Sequence, residues 1–168
     1  LKFEIVRLKD WEQVINAIKA RQVDVLGANV LDDDNKKYLN FTKPYFSFAS
    51  VLVTQRDQFT SISLDALNGK KVAVVTDYPE DIAIKTDYPE IQLVRFPDTS
   101  SALSSVAFGE TVAAALFLPT ASYEIERLGL TNLKIVGTTK IVLDDAMAVR
   151  KDWPELIPIL QKGLDTIT

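Results

Sequence analysis

Leu39-Asn40-Phe41-Thr42-Lys43-Pro44-Tyr45 decides how this chain is read. A polar run, Asp32-Asp33-Asp34-Asn35-Lys36-Lys37, leads into it, and an apolar, β-branched run, Ser50-Val51-Leu52-Val53-Thr54, leaves it. Upstream, Val23-Asp24-Val25-Leu26-Gly27-Ala28 has the continuous apolar character of a buried strand ending in small residues. Before that, Trp11, Val14, Ile15 and Ile18 fall on one face of a helix over residues 11–20, with Asp10 as its N-cap. Leu1 to Val6 reads as a further strand. Strand, helix, strand predicts a βαβ unit and a parallel sheet.

A second unit opens at Leu64-Asp65-Ala66-Leu67-Asn68-Gly69, a short helix and turn. Val72 to Val75 is predicted as a buried strand, Asp81 to Lys85 as helix, and Ile91 to Val94 as strand. Thr99 or Ser100 is the expected cap of a helix that runs to Phe108 and stops at Gly109. A strand over Val112–Phe117, a helix over Thr120–Leu128 stopped by Gly129, and a strand over Leu133–Val136 complete this unit. Ile141 to Val149 is then the return segment. Asp152 is the expected cap of a last helix with Pro154 in its first turn, and Leu156, Ile157, Ile159, Leu160 and Leu164 form its buried face. Val25 and Val74 are expected in different sheets. Thr76-Asp77-Tyr78-Pro79-Glu80 recurs as Thr86-Asp87-Tyr88-Pro89-Glu90, and two loops bracketing one helix account for that.

Composition narrows the chemistry. A net charge of -4 argues against nucleic-acid binding. Histidine and cysteine are both absent, which excludes nucleophilic sites built on either and most zinc sites. Ser104 and Ser105 therefore have no histidine partner, and the adjacent carboxylates Asp144 and Asp145 point apart on a strand. Neither a catalytic constellation nor a cofactor is expected. Asp32, Asp33 and Asp34 offer oxygen ligands, but the glycine and distal glutamate of a calcium loop are missing, so a solvated turn is the reading and no metal is expected. Asp24 reads as structural, and Trp11 and Trp153, at helix starts, as packing residues. No apolar run is long enough to span a membrane.

The order strand, polar turn, Phe41-Thr42-Lys43-Pro44-Tyr45, crossover strand resembles the type II periplasmic binding proteins, the two-lobed Venus-flytrap domains of bacteria. That family places Phe-Ser/Thr-x-Pro-Tyr just before the chain passes from lobe 1 to lobe 2. The resemblance covers the whole chain and implies an α/β fold. Lobe 1 is expected over residues 1–52 and 140–168, and lobe 2 over 54–138. Hinge crossovers are expected near 53 and 137–139, and a ligand cleft between the lobes. Lobe 1 lacks the opening strand and helix of the family, and no initiator methionine or signal peptide is visible. The chain is expected to be a piece of a longer protein. Its tail, Ala148-Val149-Arg150-Lys151-Asp152-Trp153-Pro154-Glu155-Leu156, resembles the sensor modules outside bacterial histidine kinases and diguanylate cyclases.

The family's amino-acid binders hold the ligand carboxylate with an arginine that falls here on Asn35, and a threonine that falls on Val30. The family's aspartate that holds the ligand amine falls on Phe117, and the aspartate inside the preceding strand motif falls on Val112. Both charged poles are missing. A buried ammonium and carboxylate without partners would cost several kcal/mol. A free α-amino acid in the usual pose is therefore disfavoured, and a neutral, aromatic or weakly polar ligand fits better. In open α/β folds ligands bind beyond the carboxyl ends of strands, where helix N-termini offer free N–H groups. That rule selects Asn29, Thr76, Tyr78, Phe117 and Thr120 as candidate ligand-binding residues, and the resemblance adds Asn35 as the position of the family's arginine. Tyr78 and Phe117 are balanced between lining a cleft and packing. Phe46 and Phe48 share one strand face and are expected in the core.

The resemblance implies a periplasmic, ligand-sensing domain of a transmembrane signalling protein, itself without enzymatic activity. Its partners would be a small-molecule ligand, no nucleic acid, the membrane only through segments outside this chain, and a second copy in a homodimer. A soluble solute-binding protein of an ABC transporter is the alternative, and a periplasmic enzyme on the same fold the second alternative.

Overall fold

A computed structural model describes residues 2–9, 11–31 and 34–167. The expected cap at Asp10 and the expected turn at Asp32 and Asp33 lie outside the described residues. By its contacts the chain divides into two units, Leu1–Ser47 with Asp144–Thr168, and Phe48–Leu143. Two long strands, β3 (Phe46–Gln55) and β7 (Leu133–Arg150), carry the chain from one unit to the other.

In the first unit, α1 (Trp11–Lys19) precedes β1 (Val25–Val30), and a 3-10 turn at Asn35–Lys37 precedes β2 (Leu39–Phe41). Both strands pair antiparallel with the end of β7, Val25 opposite Val149 and Phe41 opposite Ala148. Side chains alternate across that end. Ala148 packs with Ile18 of α1, Leu26 and Leu39, whereas Val149 packs with Leu156 and Leu160 of α5 (Leu156–Leu164). The expected parallel βαβ unit is not formed. Residues 2–8 take no strand conformation, because a strand needs a hydrogen-bonded neighbour and, among the described residues, β1 pairs with β7 alone.

The Phe-Thr-Lys-Pro-Tyr stretch ties this unit together. Buried Thr42 receives the Met147 N–H on its hydroxyl and donates its own N–H to the Met147 carbonyl. Tyr45 donates its phenol proton to the Gly27 carbonyl at 2.7 Å, where β1 bulges between Leu26 and Asn29. The last helix begins at Leu156, so Pro154 lies ahead of it rather than in its first turn. Asp152 is not its cap, since Glu155 holds the N-cap position, and the Asp152 carboxylate instead meets Arg21 at 3.2 Å and Arg150 at 3.4 Å.

The second unit follows the βα alternation of its sequence. A 3-10 turn at Leu64–Leu67 leads to β4 (Lys71–Val75), α2 (Pro79–Asp87), β5 (Gln92–Phe96) and α3 (Thr99–Ala107). β6 (Ala113–Phe117) and α4 (Leu118–Arg127) follow. β4 pairs parallel with both β5 and β6, and β3 closes on β6 antiparallel. The uninterrupted apolar character of β4 and β6 is explained by burial on both faces. Val51, Ala73, Val75, Ala114 and Leu116 meet α3 and α4 on one face, and Leu52, Val72, Val74, Ala113 and Ala115 meet Ile84 of α2 on the other. Asp98, not Thr99 or Ser100, caps α3 by accepting the Ser101 N–H at 2.7 Å.

Hydrogen-bonded strand order runs β1-β7-β3-β6-β4-β5 without a break. Val25 and Val74 are therefore connected through one strand path, contrary to the expectation of separate sheets. The reason is β7, a single extended strand through Gly137 where the sequence suggested two.

Candidate functional site

Strand ends and helix starts come together at the end of the second unit where β4 and β6 finish. These strands are parallel neighbours, so Val75 and Phe117 end at the same edge of the sheet. Helices α2 and α4 start within four residues, each with proline in its first turn, which presets φ there. Two helix N-termini with free backbone N–H groups thus stand beyond the strand ends.

Four of the sequence-selected residues lie here. Thr76 donates its hydroxyl proton to the Phe96 carbonyl at 3.1 Å, and Thr120 donates to the Phe117 carbonyl at 3.0 Å. Both hydroxyl oxygens are exposed and keep acceptor capacity. Tyr78 is the N-cap residue of α2, and its ring is 44% exposed. Phe117, half-buried, meets Phe48 edge-to-face with ring centroids 5.7 Å apart. Phe48 therefore belongs with this cluster rather than with the core. Phe46 is 55% exposed and leans on Tyr45, so its expected core role is also not met. Between Thr76 and Tyr78, Asp77 adopts φ +61°, a left-handed conformation rare outside glycine. Its N–H is held by the Asp81 carboxylate at 3.2 Å.

An acid cluster beneath this edge went unread in the sequence. Asp81 is gripped by Arg95, whose Nε and a terminal nitrogen meet its two oxygens at 2.9 and 2.8 Å. Glu80 is 1% exposed and accepts a hydrogen bond from the Ser50 hydroxyl of β3 at 2.5 Å. Burial raises the Glu80 pKa above its ordinary 4.5, and the Ser50 hydrogen bond and its own backbone N–H oppose that shift less strongly. In sequence, acids in the first turn of a helix read as solvated partners of the dipole, and nothing local marks Glu80 as buried.

The first unit holds the other two candidates. Asn29 is buried on β1, and its amide nitrogen lacks a hydrogen-bond partner among the described residues. Asn35 is engaged internally, donating to the Val30 carbonyl at 3.2 Å and accepting from the Tyr38 hydroxyl at 2.5 Å. A cavity of about 840 Å³ also lies in this unit, between residues 2–8 and the outer edge of β1. Phe3, Ile5, Val6, Trp11, Leu26 and Trp153 line it, far in sequence from the strand ends that carry the polar candidates. Among the described residues no group of three metal-ligating side chains occurs.

Comparison with known proteins places this geometry. The family model for bacterial extracellular solute-binding proteins, family 3, matches residues 1–168. The virulence sensor protein BvgS of Bordetella pertussis is 28% identical over 169 residues, an alignment that takes in 100% of this chain and 14% of BvgS. The crystal structure of the BvgS periplasmic VFT2 domain superposes with a TM-score of 0.89 at 28% identity, over 100% of this chain and 72% of that one. A histidine kinase sensor domain with similarity to periplasmic binding proteins gives 0.80 at 26% identity, over 94% of this chain and 69% of that one. The chain thus shares the Venus-flytrap fold of sensor domains over its whole length and spans a small part of the BvgS protein. It belongs to the bacterial extracellular solute-binding proteins of family 3.

Proposed function

We propose that this chain is the periplasmic ligand-sensing domain of a transmembrane signalling protein, a sensor histidine kinase or diguanylate cyclase. The observation that carries the reading is the likeness over the full chain to the BvgS VFT2 domain and to a histidine kinase sensor domain. The ligand is a small molecule held at the strand ends of the second unit by Thr76, Tyr78, Phe117 and Thr120. Asn29 and Asn35 are the candidates of the first unit, Asn29 through its unpartnered amide. Lobes at 1–52 with 140–168 and at 54–138, and hinges near 53 and 137–139, follow the family pattern. Strands β3 and β7, which carry the chain between the two units, support that placement. Binding is read out through them and through α5 toward a membrane segment outside this chain. No catalysis is assigned to the domain.

The mapped poles of the amino-acid binders remain without charge at Asn35 and Phe117. Asn35 is moreover committed to Val30 and Tyr38. A thermal-shift screen with calorimetric follow-up tests this. Neutral and aromatic compounds are expected to supply the stabilising ligand, and the common α-amino acids to give no shift. Micromolar binding of a free α-amino acid would overturn the assignment. The natural reading frame tests the sensing role separately: a membrane helix and an output domain after residue 168 are expected, whereas a stop codon followed by permease genes would favour transport.

A further inference from the structure

Ser50 sits where the aromatic cluster of the second unit meets its core. It lies opposite Phe117 across the β3–β6 ladder, and Phe48 is its neighbour two residues back on the same strand face. Its side chain is fully buried, and its hydroxyl reaches across to the first turn of α2. The acceptor is Glu80, one of the largest fully buried side chains described and the only carboxylate among them. We propose that Glu80 is a positioning residue for the Phe48–Phe117 cluster, and that its buried carboxyl, seated against Ser50, is a proton-dependent latch between helix α2 and strand β3. The proposal rests on the reading that this edge of the second unit is the ligand site, and names its regulation.

The geometry leaves Glu80 with little help in carrying a charge. The charged groups around it come from its own turn and from β5: Asp77 and Asp81, with Arg95 already bidentate on Asp81. Among the described residues, the hydrogen bonds to its carboxyl come from the Ser50 hydroxyl of β3 and its own backbone N–H. Ionising Glu80 therefore places an uncompensated charge behind the aromatic cluster, where a neutral carboxyl sits at lower cost. The sign follows from the raised pKa. The native state holds the Glu80 proton to higher pH than the unfolded chain does. The contribution of the neutral, buried Glu80 carboxyl is full below the ordinary value of 4.5 and is lost as pH rises from there through the raised native pKa, while the Ser50 hydrogen bond, which favours the ionised form, offsets part of that loss. Asp145, in the first unit, is also shifted upward by burial, and Glu124 is shifted downward by its Arg127 hydrogen bond, so the total pH dependence has further sources.

Two measurements isolate the one at Glu80, and neither uses a ligand, so their failure is separate from failure of the ligand screen. Carboxyl-carbon NMR titration of Glu80 in the unaltered protein is expected to give a midpoint above 4.5, with the Phe117 and Thr120 amides titrating at the same midpoint. A midpoint at or below the ordinary value, or silent amides, overturns the proposal. Melting temperature as a function of pH then compares the wild type with Glu80→Gln, which keeps the shape and loses the proton. The wild type is expected to fall relative to Glu80→Gln by up to about 3 °C per pH unit across the titration. Parallel curves overturn the proposal. A Glu80→Gln variant that fails to fold leaves the NMR titration to decide alone.

Discussion

Trp153 shows how far a single residue's role depends on its setting. Its place just ahead of a helix invites the reading of a buried anchor. The ring is instead 39% exposed, with the Arg150 guanidinium 5.6 Å from its centroid. A cation over an aromatic face and partial burial hold it, not core packing. Trp153→Ala is therefore expected to cost about 1–2 kcal/mol, below the 3–5 kcal/mol of a buried aromatic truncation. Urea denaturation checks this, and a loss at or above the buried figure would mean the ring carries α5 after all. At this scale the sequence was a partial guide. Thr76, Tyr78, Phe117 and Thr120 were legible because strand ends followed by helix starts can be read from pattern. Glu80 and Ser50 were not, because acids and serines beside a helix start look the same whether solvent or β3 lies behind them. Asp98 was missed as a cap because the neighbouring Thr99 and Ser100 are equally good capping types.

At the scale of elements, β7 is the most instructive. Gly137-Thr138-Thr139-Lys140 reads as a break, yet the strand runs unbroken from Leu133 to Arg150. Gly137 is there for space: a Cβ on it would stand 2.4 Å from the Ile62 carbonyl oxygen. Backbone cannot swing aside as a side chain can. Gly137→Ala is expected to cost about 1–3 kcal/mol through forced displacement. Gly27→Ala, where nothing lies within 4 Å, is expected to stay within about 0.5 kcal/mol. Chemical denaturation of the pair checks this, and equal effects would show that the Ile62 loop yields freely. β4 and β6 were read correctly because an uninterrupted β-branched or alanine run has few homes other than a strand covered on both faces. The strand expected over Leu1–Val6 failed for the opposite reason. Its alternation is genuine, but strand formation is a property of pairs, and a single sequence does not say whether a partner is present.

For the whole molecule, the family-level reading and the α/β class were carried by one short motif, and the structure explains why. Thr42 and Tyr45 of Phe41-Thr42-Lys43-Pro44-Tyr45 bind the returning strand and the β1 bulge, so the motif records how the first unit closes on its own tail. What the chain binds is not written in any one motif, because the positions on which the family resemblance lays the charged poles hold Asn35 and Phe117. The central claim is that a ligand docks at the strand ends of the second unit. The most direct measurement is an amide chemical-shift map of the isotope-labelled protein, titrated with a stabilising compound from the screen. The account predicts shifts concentrated at Thr76, Asp77, Tyr78, Phe117 and Thr120. Shifts confined to Phe3, Ile5, Val6 and Leu26, around the cavity of the first unit, would contradict it.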